Sequence, residues 1–430
     1  MPISRRALAA TAVAALVMPL SACGSGSDDG GSSDASGKVE GNITFQTWNL
    51  RANFKSYFEG VIADFEKQYP GTHVKWVDQP AEGYPDKISA DAAGGTLPDV
   101  VNVSPDLVAP LAKAGFALDL DKSAAKYKKE YLDGAWASHQ IPGMTGTYAF
   151  PWYLNTGPLF YNKSLFKEAG LDPDQPPKTY DELFTDALEL AKKSDGKVAT
   201  LANVPTVEDF GRYGVELMNK AGDGFAFNDA KGVELLTKYK ELYDAKALDP
   251  QALTATPESS GKKFLTGAVA MNPGSALDLG NFKKQAPNLY KNIGITDQIT
   301  STGHVNMYVM GLMVNAQTKK KPAAIAFAHW VTDATHQMSF AKKVAIFPST
   351  AGSLDDPYFT KEDGTDETRV RIAAAKSLKN AVNYTPVLFS DQMKTALRNE
   401  VAKALQGKES PKDALDNAVK ACDTLLKQQG

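Results

Sequence analysis

The residues between positions 43 and 103 alternate between short apolar runs and helical stretches. The runs 43–48, 73–77 and 99–103 have the length and composition of strands. Between them, residues 53–69 carry apolar side chains on one helical face, and residues 84–93 predict a second helix. This alternation predicts an α/β layer in which parallel strands are joined by right-handed helical crossovers.

The second half of the chain continues the same alternation. Thr179 and Glu182 have the spacing of a capping box at the start of an amphipathic helix. Strand-like runs and helical patterns then follow one another, the strands at 159–161, 269–271 and 307–314 and the helices at 229–243, 322–340, 391–405 and 411–426. The pattern predicts two α/β lobes, although it does not assign each segment to one of them.

The first forty residues do not have the composition of a folded domain. Arg5 and Arg6 precede an apolar run at 7–20, which is the layout of a secretory signal peptide. That run is shorter than the ~20 residues that a membrane-spanning helix needs. Residues 24–41 are mostly glycine, serine and aspartate, which predicts a flexible linker.

A cysteine stands where the signal peptide ends. The sequence Leu-Ser-Ala-Cys at 20–23 resembles the lipobox of bacterial lipoproteins, in which the cysteine thiol carries a diacylglycerol. This resemblance implies a signal peptide over 1–22, a lipidated Cys23 and a linker over 23–42. It also implies an anchor on the extracytoplasmic face of the cell membrane. The alternative is an ordinary cleavage site beside a chance cysteine.

The composition of the chain excludes several classes of function. Its formal net charge is −3 and no basic patch stands out, which argues against a nucleic-acid partner. The chain has no Walker motif, no nucleophile elbow and no H-E-x-x-H sequence, so we expect no enzyme, cofactor or metal. A glycosidase needs two carboxylates beside the bond that it cleaves, and Glu82 and Asp99 are the only pair offered for that role. A secreted hydrolase is therefore the alternative function. The second cysteine, Cys422, lies on an apolar helical face and is expected to be buried and inert.

Four segments resemble one protein family. They are 94–121, 149–183, 264–276 and 396–426, and the most specific of them contains Tyr-Asn-Lys at 161–163 and Pro-Lys-Thr at 177–179. They resemble, in the same order, extracellular solute-binding proteins of family 1, which serve ABC importers and include the maltose- and glycerol-phosphate-binding proteins. The resemblance extends over nearly all of 43–428.

The resemblance implies a fold as well as a function. The expected fold is the two-lobed periplasmic-binding-protein fold, type II-like, with chain crossings near 151–156, 310 and 347–348. Lobe one would comprise 43–151 plus 310–347, and lobe two 152–309 plus 348–430. The implied function is capture of a mono- or oligosaccharide by a membrane-anchored monomer that delivers it to an ABC permease. A ligand of the glycerol-phosphate type is the alternative.

The ligand should lie where strands end, since α/β sheets bind ligands at the carboxyl ends of their strands. A sugar presents hydroxyl groups and apolar faces, so its site needs aromatic rings, carboxylates and amides. The candidate contacts that meet these conditions are Trp48, Asn49, Glu82, Tyr84, Asp99, Ser104, Trp152, Tyr153, Asn155, Asp209, Arg212, Asn272, Gly274, Ser275, His304, Asn306 and Tyr308.

Some of these candidates have simpler alternative roles. Trp48 and Trp152 could be core residues, and Asp99 and Glu82 could brace loops. Ser275 stands where the maltose-binding protein has an aromatic residue, so one sugar-stacking ring is missing. Arg212 is the only cation that the sequence offers for a phosphate group. These considerations favour a neutral sugar.

Overall fold

The structure, a computed structural model, describes residues 37–254 and 257–428. The predicted signal peptide and Cys23 lie outside the described residues. Within the described ranges, no helix has both the length and the apolar character needed to cross a membrane.

A six-stranded sheet is built largely from the first part of the chain. Its strands stand in the order β2-β1-β3-β8-β4-β9. The first three run parallel, whereas β8 is antiparallel to β3 and β4, and β9 is antiparallel to β4. The strands of this sheet are β1 (Gly41–Trp48), β2 (Thr72–Gln79), β3 (Val100–Val103), β4 (Phe150–Asn155), β8 (Tyr308–Val314) and β9 (Phe347–Pro348). The predicted parallel strands are therefore confirmed.

A three-stranded antiparallel sheet forms the centre of the second part of the fold. Its strand order is β6-β5-β7. Phe160 on the central strand is fully buried, and a Cβ at Gly274 would collide with its ring, so the turn after β6 requires glycine. The strands are β5 (Leu159–Asn162), β6 (Met271–Pro273) and β7 (Ile293–Thr296).

Helices cover both sheets. The helices of the first third are α1 (Arg51–Gln68), α2 (Tyr84–Ala93), α3 (Pro105–Lys113), α4 (Leu120–Ser123) and α5 (Asp133–Ala137). The middle third contributes α6 (Lys163–Glu168), α7 (Tyr180–Lys193), α8 (Val207–Tyr213), α9 (Ala230–Asp244), α10 (Pro257–Leu265), α11 (Ala276–Gln285) and α12 (Pro287–Tyr290). The last third contributes α13 (Lys321–Thr332), α14 (Ala334–Ala341), α15 (Pro357–Thr360), α16 (Asp366–Leu378), α17 (Asp391–Leu405) and α18 (Pro411–Gln428).

The predicted helix at 322–340 is two helices. Asp333 has extended backbone angles and caps α14 by accepting a hydrogen bond from the His336 backbone N–H. An aspartate that caps the following turn ends a helix more readily than it continues one. The predicted capping box at Thr179 is confirmed, because the Thr179 and Glu182 side chains each bond the other residue's backbone N–H.

An aromatic core supports one face of the six-stranded sheet. Phe45 of β1 contacts Phe58 of α1, Trp152 of β4 and Phe327 of α13, with ring centroids 5.2 to 6.4 Å apart. These rings are buried. At the other end of the chain Cys422 of α18 is buried against α17, and burial raises its thiol pKa to about 12, as expected of a packing residue.

Candidate functional site

The carboxyl edge of β1 presents a half-buried tryptophan. The ring of Trp48 lies against Tyr84 with centroids 4.6 Å apart. The Tyr84 hydroxyl donates to the Asn102 carbonyl at 2.7 Å, which fixes the ring that supports Trp48. Asn49 is exposed and takes a left-handed conformation (φ 52°) as the chain turns away from the sheet. The edge therefore offers one supported aromatic face.

Two further side chains lie near this edge. Burial raises the pKa of Tyr84, and the nearby Asp78 and Tyr153 add to that shift. Tyr153 is half-buried, and burial raises its own pKa to about 12. Gln46, two residues before Trp48, is buried close to Tyr84, and its Nε2 has no partner of good geometry among the described residues. Trp48, Tyr84, Tyr153 and Gln46 form a group that we call the sheet-edge cluster.

A groove of about 580 Å³ lies against the second part of the fold. That volume is in the range of small-molecule sites, roughly 300–1,000 Å³. Tyr308, which is 55% exposed, and Asn306 line it from the start of β8. Asp209 and Arg212 line it from α8. Four of the predicted contacts therefore share one surface, which we call the groove wall.

The charged groups of the groove wall are paired with each other. Arg212 donates from Nη2 to Asp209 Oδ1 at 2.5 Å and from Nη1 to the Ile299 carbonyl at 3.0 Å. The Tyr180 hydroxyl donates to the same Asp209 oxygen at 2.8 Å, and the Thr206 N–H donates to the other at 2.8 Å. The Thr206 hydroxyl donates a fourth hydrogen bond to the Asp209 carboxylate. The Arg212–Asp209 pair carries no net charge.

Asn306 connects the segments that meet behind Tyr308. Its backbone carbonyl accepts hydrogen bonds from Thr156 Oγ1 at 2.9 Å and from Gln298 Nε2 at 3.1 Å. Its side-chain oxygen accepts from the Tyr384 N–H at 3.0 Å. Asn306 therefore links the segments of Thr156 and Gln298 through its backbone and the segment of Tyr384 through its side chain, in addition to lining the groove.

Trp152 does not reach the groove. It is 1% exposed, and its ring stacks on Phe340 and packs against Phe45 and Phe58. Contrary to the expectation from the sequence, it is a core residue in this structure. The physical reason is the position of Trp152 two residues after Phe150 on β4, since both side chains pack into the same aromatic core.

Asp99 lies at the wrong edge of the sheet for ligand contact. It precedes β3, so it stands at the amino edge, opposite Trp48. Its carboxylate accepts from the Thr44 N–H at 2.7 Å and from the Thr318 hydroxyl. Asp99 therefore connects β3 to the neighbouring strand β1 and to the loop of Thr318, which is the alternative role considered for it above.

Three candidates around β6 have local structural roles. Ser275 caps α11, with its hydroxyl 2.6 Å from Asp278 Oδ2 in a capping box. Asn272 is buried and donates to the Pro273 carbonyl at 2.5 Å. Gly274 is required by Phe160, as described above. None of the three lines the groove, although the neighbouring Pro273 does.

The remaining candidates are scattered. His304 lines a separate surface cavity of about 490 Å³ with Lys129, Asp133 and Lys379, and its Nδ1 lies 2.8 Å from the Asn380 carbonyl. Glu82 and Asn155 are exposed, and Ser104 precedes α3 at the carboxyl end of β3. None of these four residues lines the groove, although Asn155 pairs with Tyr308 of the groove wall between β4 and β8.

The groove also contains residues that the sequence did not single out. Tyr180, Glu208, Gln298 and Phe389 line it from four separate segments. Glu208 stands beside Asp209 in a polar stretch and could have been found from that position. The other three carry no local signal, because they meet only when distant segments fold together.

Comparison with known proteins identifies the family. Residues 51–338 match the family model described as bacterial extracellular solute-binding protein. The chain belongs to this family. The fold expected from the sequence, two lobes of the periplasmic-binding-protein type, is confirmed by solved structures that cover most of the chain. The family comprises solute-binding proteins of ABC importers rather than enzymes, and they act outside the cytoplasm.

Several individual proteins are similar to this solute-binding protein. The diacetylchitobiose binding protein DasA of Streptomyces coelicolor is 24% identical over 430 residues, covering 94% of this chain and 97% of that protein. The sn-glycerol-3-phosphate-binding protein UgpB of Brucella melitensis is 26% identical, covering 70% of this chain and 72% of its own length.

Among solved structures, the GacH receptor of Streptomyces glaucescens, studied unliganded and with acarbose, superposes with a TM-score of 0.64 at 25% identity. Its alignment covers 90% of this chain and 99% of GacH. The sugar-binding protein MalE of Xanthomonas citri superposes with a TM-score of 0.73 at 20% identity, covering 90% and 98% of the two chains.

Proposed function

We propose that this protein binds a neutral mono- or oligosaccharide between its two lobes and delivers it to the permease of an ABC importer. The sheet-edge cluster supplies an aromatic ring that can stack on the apolar face of a sugar. In this proposal the groove wall, which includes the exposed ring of Tyr308, is the second ligand-binding surface. Similarity to the diacetylchitobiose binding protein DasA, to GacH, which was studied with acarbose, and to the sugar-binding protein MalE supports a sugar.

The choice of a neutral ligand rests on how the three cations that line the groove are engaged: Arg212 bonds Asp209, Lys394 bonds Asp391, and Arg398 bonds the Leu253 carbonyl. Similarity to UgpB makes a glycerol phosphate the competing ligand. A phosphate group needs a cation whose charge is not already compensated. Arg212 is held by Asp209 and the Ile299 carbonyl, so it offers a phosphate no net positive charge. Breaking that part-buried pair to bind phosphate would also leave Asp209 without its cation, which costs free energy.

Closure of the lobes is the proposed mechanism of capture. The proposed lobes are 43–151 plus 310–347 and 152–309 plus 348–430, and the three crossings between them fall within β4, β8 and β9. A ligand that contacts both the sheet-edge cluster and the groove wall stabilises the closed form by its higher affinity for that form. Asn306 and its partners sit at a crossing, where they fix the start of β8 relative to Thr156.

Attachment to the membrane is part of the proposal. A diacylglycerol on Cys23 would hold the monomer on the extracytoplasmic face, with the glycine- and serine-rich sequence 24–36 between this anchor and β1, which begins at Gly41. Such a connection lets the folded body reach its permease while preventing its loss from the cell.

Isothermal titration calorimetry with a ligand panel tests the neutral-sugar assignment. The panel contains glucose, cellobiose, maltose, N,N′-diacetylchitobiose and glycerol 3-phosphate. The proposal expects at least one neutral sugar to bind and glycerol 3-phosphate to give no heat of binding. Binding of glycerol 3-phosphate with no response to any sugar would refute it.

A further inference from the structure

Apolar side chains line much of the groove that Tyr308 and Asn306 also line. They come from α7, from the loop before α8, from the segment before β8 and from the region of α17. The apolar character therefore belongs to the assembled surface and not to one helix face. We call these residues the apolar lining, and they are Leu183, Leu201, Val204, Ile299, Phe389 and Leu397.

Polar side chains of the same groove are bonded to the protein itself. Gln298 bonds the backbone of Asn306 through both its Nε2 and its Oε1. Glu208 accepts a hydrogen bond from the Thr385 hydroxyl at 2.6 Å. The arginine and the aspartate of the groove wall are paired with each other, as described above. A ligand group that lies against the apolar lining therefore finds few free hydrogen-bonding partners.

This arrangement has a consequence for the chemistry of that ligand group. A hydroxyl or an amide placed against the apolar lining would lose its hydrogen bonds to water without replacement, which costs free energy. A hydrocarbon group in the same place gains free energy, because its apolar surface leaves water. The group that fits the apolar lining therefore has no hydrogen-bonding atoms of its own.

The size and the aromatic content of the groove favour a ring. An apolar cavity of about 150 Å³ is large enough to bind benzene, whereas the groove measures about 580 Å³. The rings of Tyr180, Tyr239, Tyr308 and Phe389 line it from four segments, and aromatic rings attract one another beyond the burial of their area. A rigid ring also loses less conformational freedom on binding than an alkyl chain does.

We infer that the ligand is an aryl glycoside, which is a neutral sugar whose anomeric oxygen carries an aromatic group, and that this group lies against the apolar lining. This inference rests on the proposed function, in which the sugar contacts the rings of Trp48 and Tyr308. The aromatic group adds no charge, in keeping with the internal pairing of Arg212 and Asp209.

Calorimetry with matched glycosides tests the inference. The probes are the phenyl and methyl glycosides, in both anomeric forms, of glucose, cellobiose, maltose and N,N′-diacetylchitobiose, together with the free sugars. For the sugar that binds, we expect the phenyl glycoside to bind at least about tenfold more tightly than the methyl glycoside, because the ring adds several buried carbon atoms.

The possible outcomes separate the inference from the proposed function. Equal affinities of the phenyl and methyl glycosides would overturn the inference and leave the proposed function standing, and so would a free sugar that binds while its glycosides do not. Failure of every sugar and every glycoside would instead overturn the proposed function. A cyclohexyl glycoside that binds as tightly as the phenyl glycoside would overturn the assignment of an aromatic group, since the two differ in aromatic character at similar size.

Substitutions in the apolar lining locate the aromatic group. Leu201→Asn and the isosteric Val204→Thr are each expected to reduce the ratio of phenyl to methyl glycoside affinity at least about threefold, because each places a polar group against the ring. Leu188→Asn is the matched control and should keep the wild-type ratio, since Leu188 is exposed on α7 and does not line the groove. If Leu201→Asn does not fold, Val204→Thr decides. A ratio that keeps its wild-type value in a folded lining variant would place the aromatic group elsewhere and overturn the inference.

Discussion

Protonation of His139 should make the protein lose stability as the pH falls. His139 is 0% exposed, and neither ring nitrogen has a hydrogen-bond partner of good geometry among the described residues. The ring packs on the backbone of β8, since a Cβ at Gly311 would lie 2.5 Å from its Nε2. Burial lowers the pKa of His139 from 6.5 to about 4, and a weak interaction with the Ala135 backbone offsets part of that shift.

The direction of the effect follows from the two protonation states. The unfolded chain takes up a proton on this histidine once the pH falls below about 6.5, whereas the folded chain does so only near its pKa of about 4. The free energy of unfolding therefore decreases as the pH falls through that window. Each unit of pKa difference between the two states corresponds to about 1.4 kcal/mol in the free energy of unfolding, so the whole shift of the His139 pKa amounts to about 3 kcal/mol.

Urea unfolding of the wild type and of His139→Leu measures this contribution. Leucine is close to histidine in size and has no group that takes up a proton. Because the substitution removes two nitrogens without hydrogen-bond partners, the free energy of unfolding at about pH 7 should stay within ~1 kcal/mol of the wild type. Between about pH 7 and pH 4.5 the wild type should lose roughly 2–3 kcal/mol more than the variant. A parallel loss in both proteins would show that His139 is not the buried, neutral group that the structure describes.

Three other substitutions test separate parts of the account. Tyr308→Ala should weaken sugar binding at least about tenfold in calorimetry without changing the melting temperature, because the ring is 55% exposed at the groove; an unchanged affinity would remove Tyr308 from the site. Trp152→Ala should instead lower the free energy of unfolding by about 3–5 kcal/mol in urea titrations, since it empties an aromatic core. A stable Trp152→Ala protein that binds sugar poorly would restore Trp152 as a contact. Cys23→Ser should release the protein into the medium or periplasm in cell fractionation, whereas retention at the membrane would contradict the lipid anchor.

The arrangement of strands and helices could be predicted because its signals are local. The strand runs before residue 103 are short and apolar, and the helix between the first two has a periodic apolar face, so their order implied the parallel β1, β2 and β3. The capping box at Thr179 is likewise contained in four consecutive residues. By contrast, the break at Asp333 could not be predicted. This residue lies inside an apolar helical pattern, and the sequence does not show that it caps a new helix.

The site was predicted only in part, because it depends on which face of a strand and which edge of the sheet each residue occupies. Trp48 ends a strand, and that fact alone predicts its place at the carboxyl edge of the sheet. Asp99 precedes its strand, so the same rule puts it at the opposite edge. Trp152 shares the two-residue alternation of Phe150, which marks it as core once β4 is known to be a strand. Leu201, Ile299 and Leu397 meet only in the folded chain, and no local pattern relates them.

The central claim is that the sugar is captured between the lobes. The most direct test is a crystal structure of the protein with the neutral sugar that binds most tightly in the calorimetric panel. The account predicts one sugar molecule with atoms within about 4 Å of both the Trp48 ring and the Tyr308 ring, and the Arg212–Asp209 pair still intact. A sugar that contacts only one of these two rings, or that lies in the surface cavity beside His304, would contradict capture between the lobes.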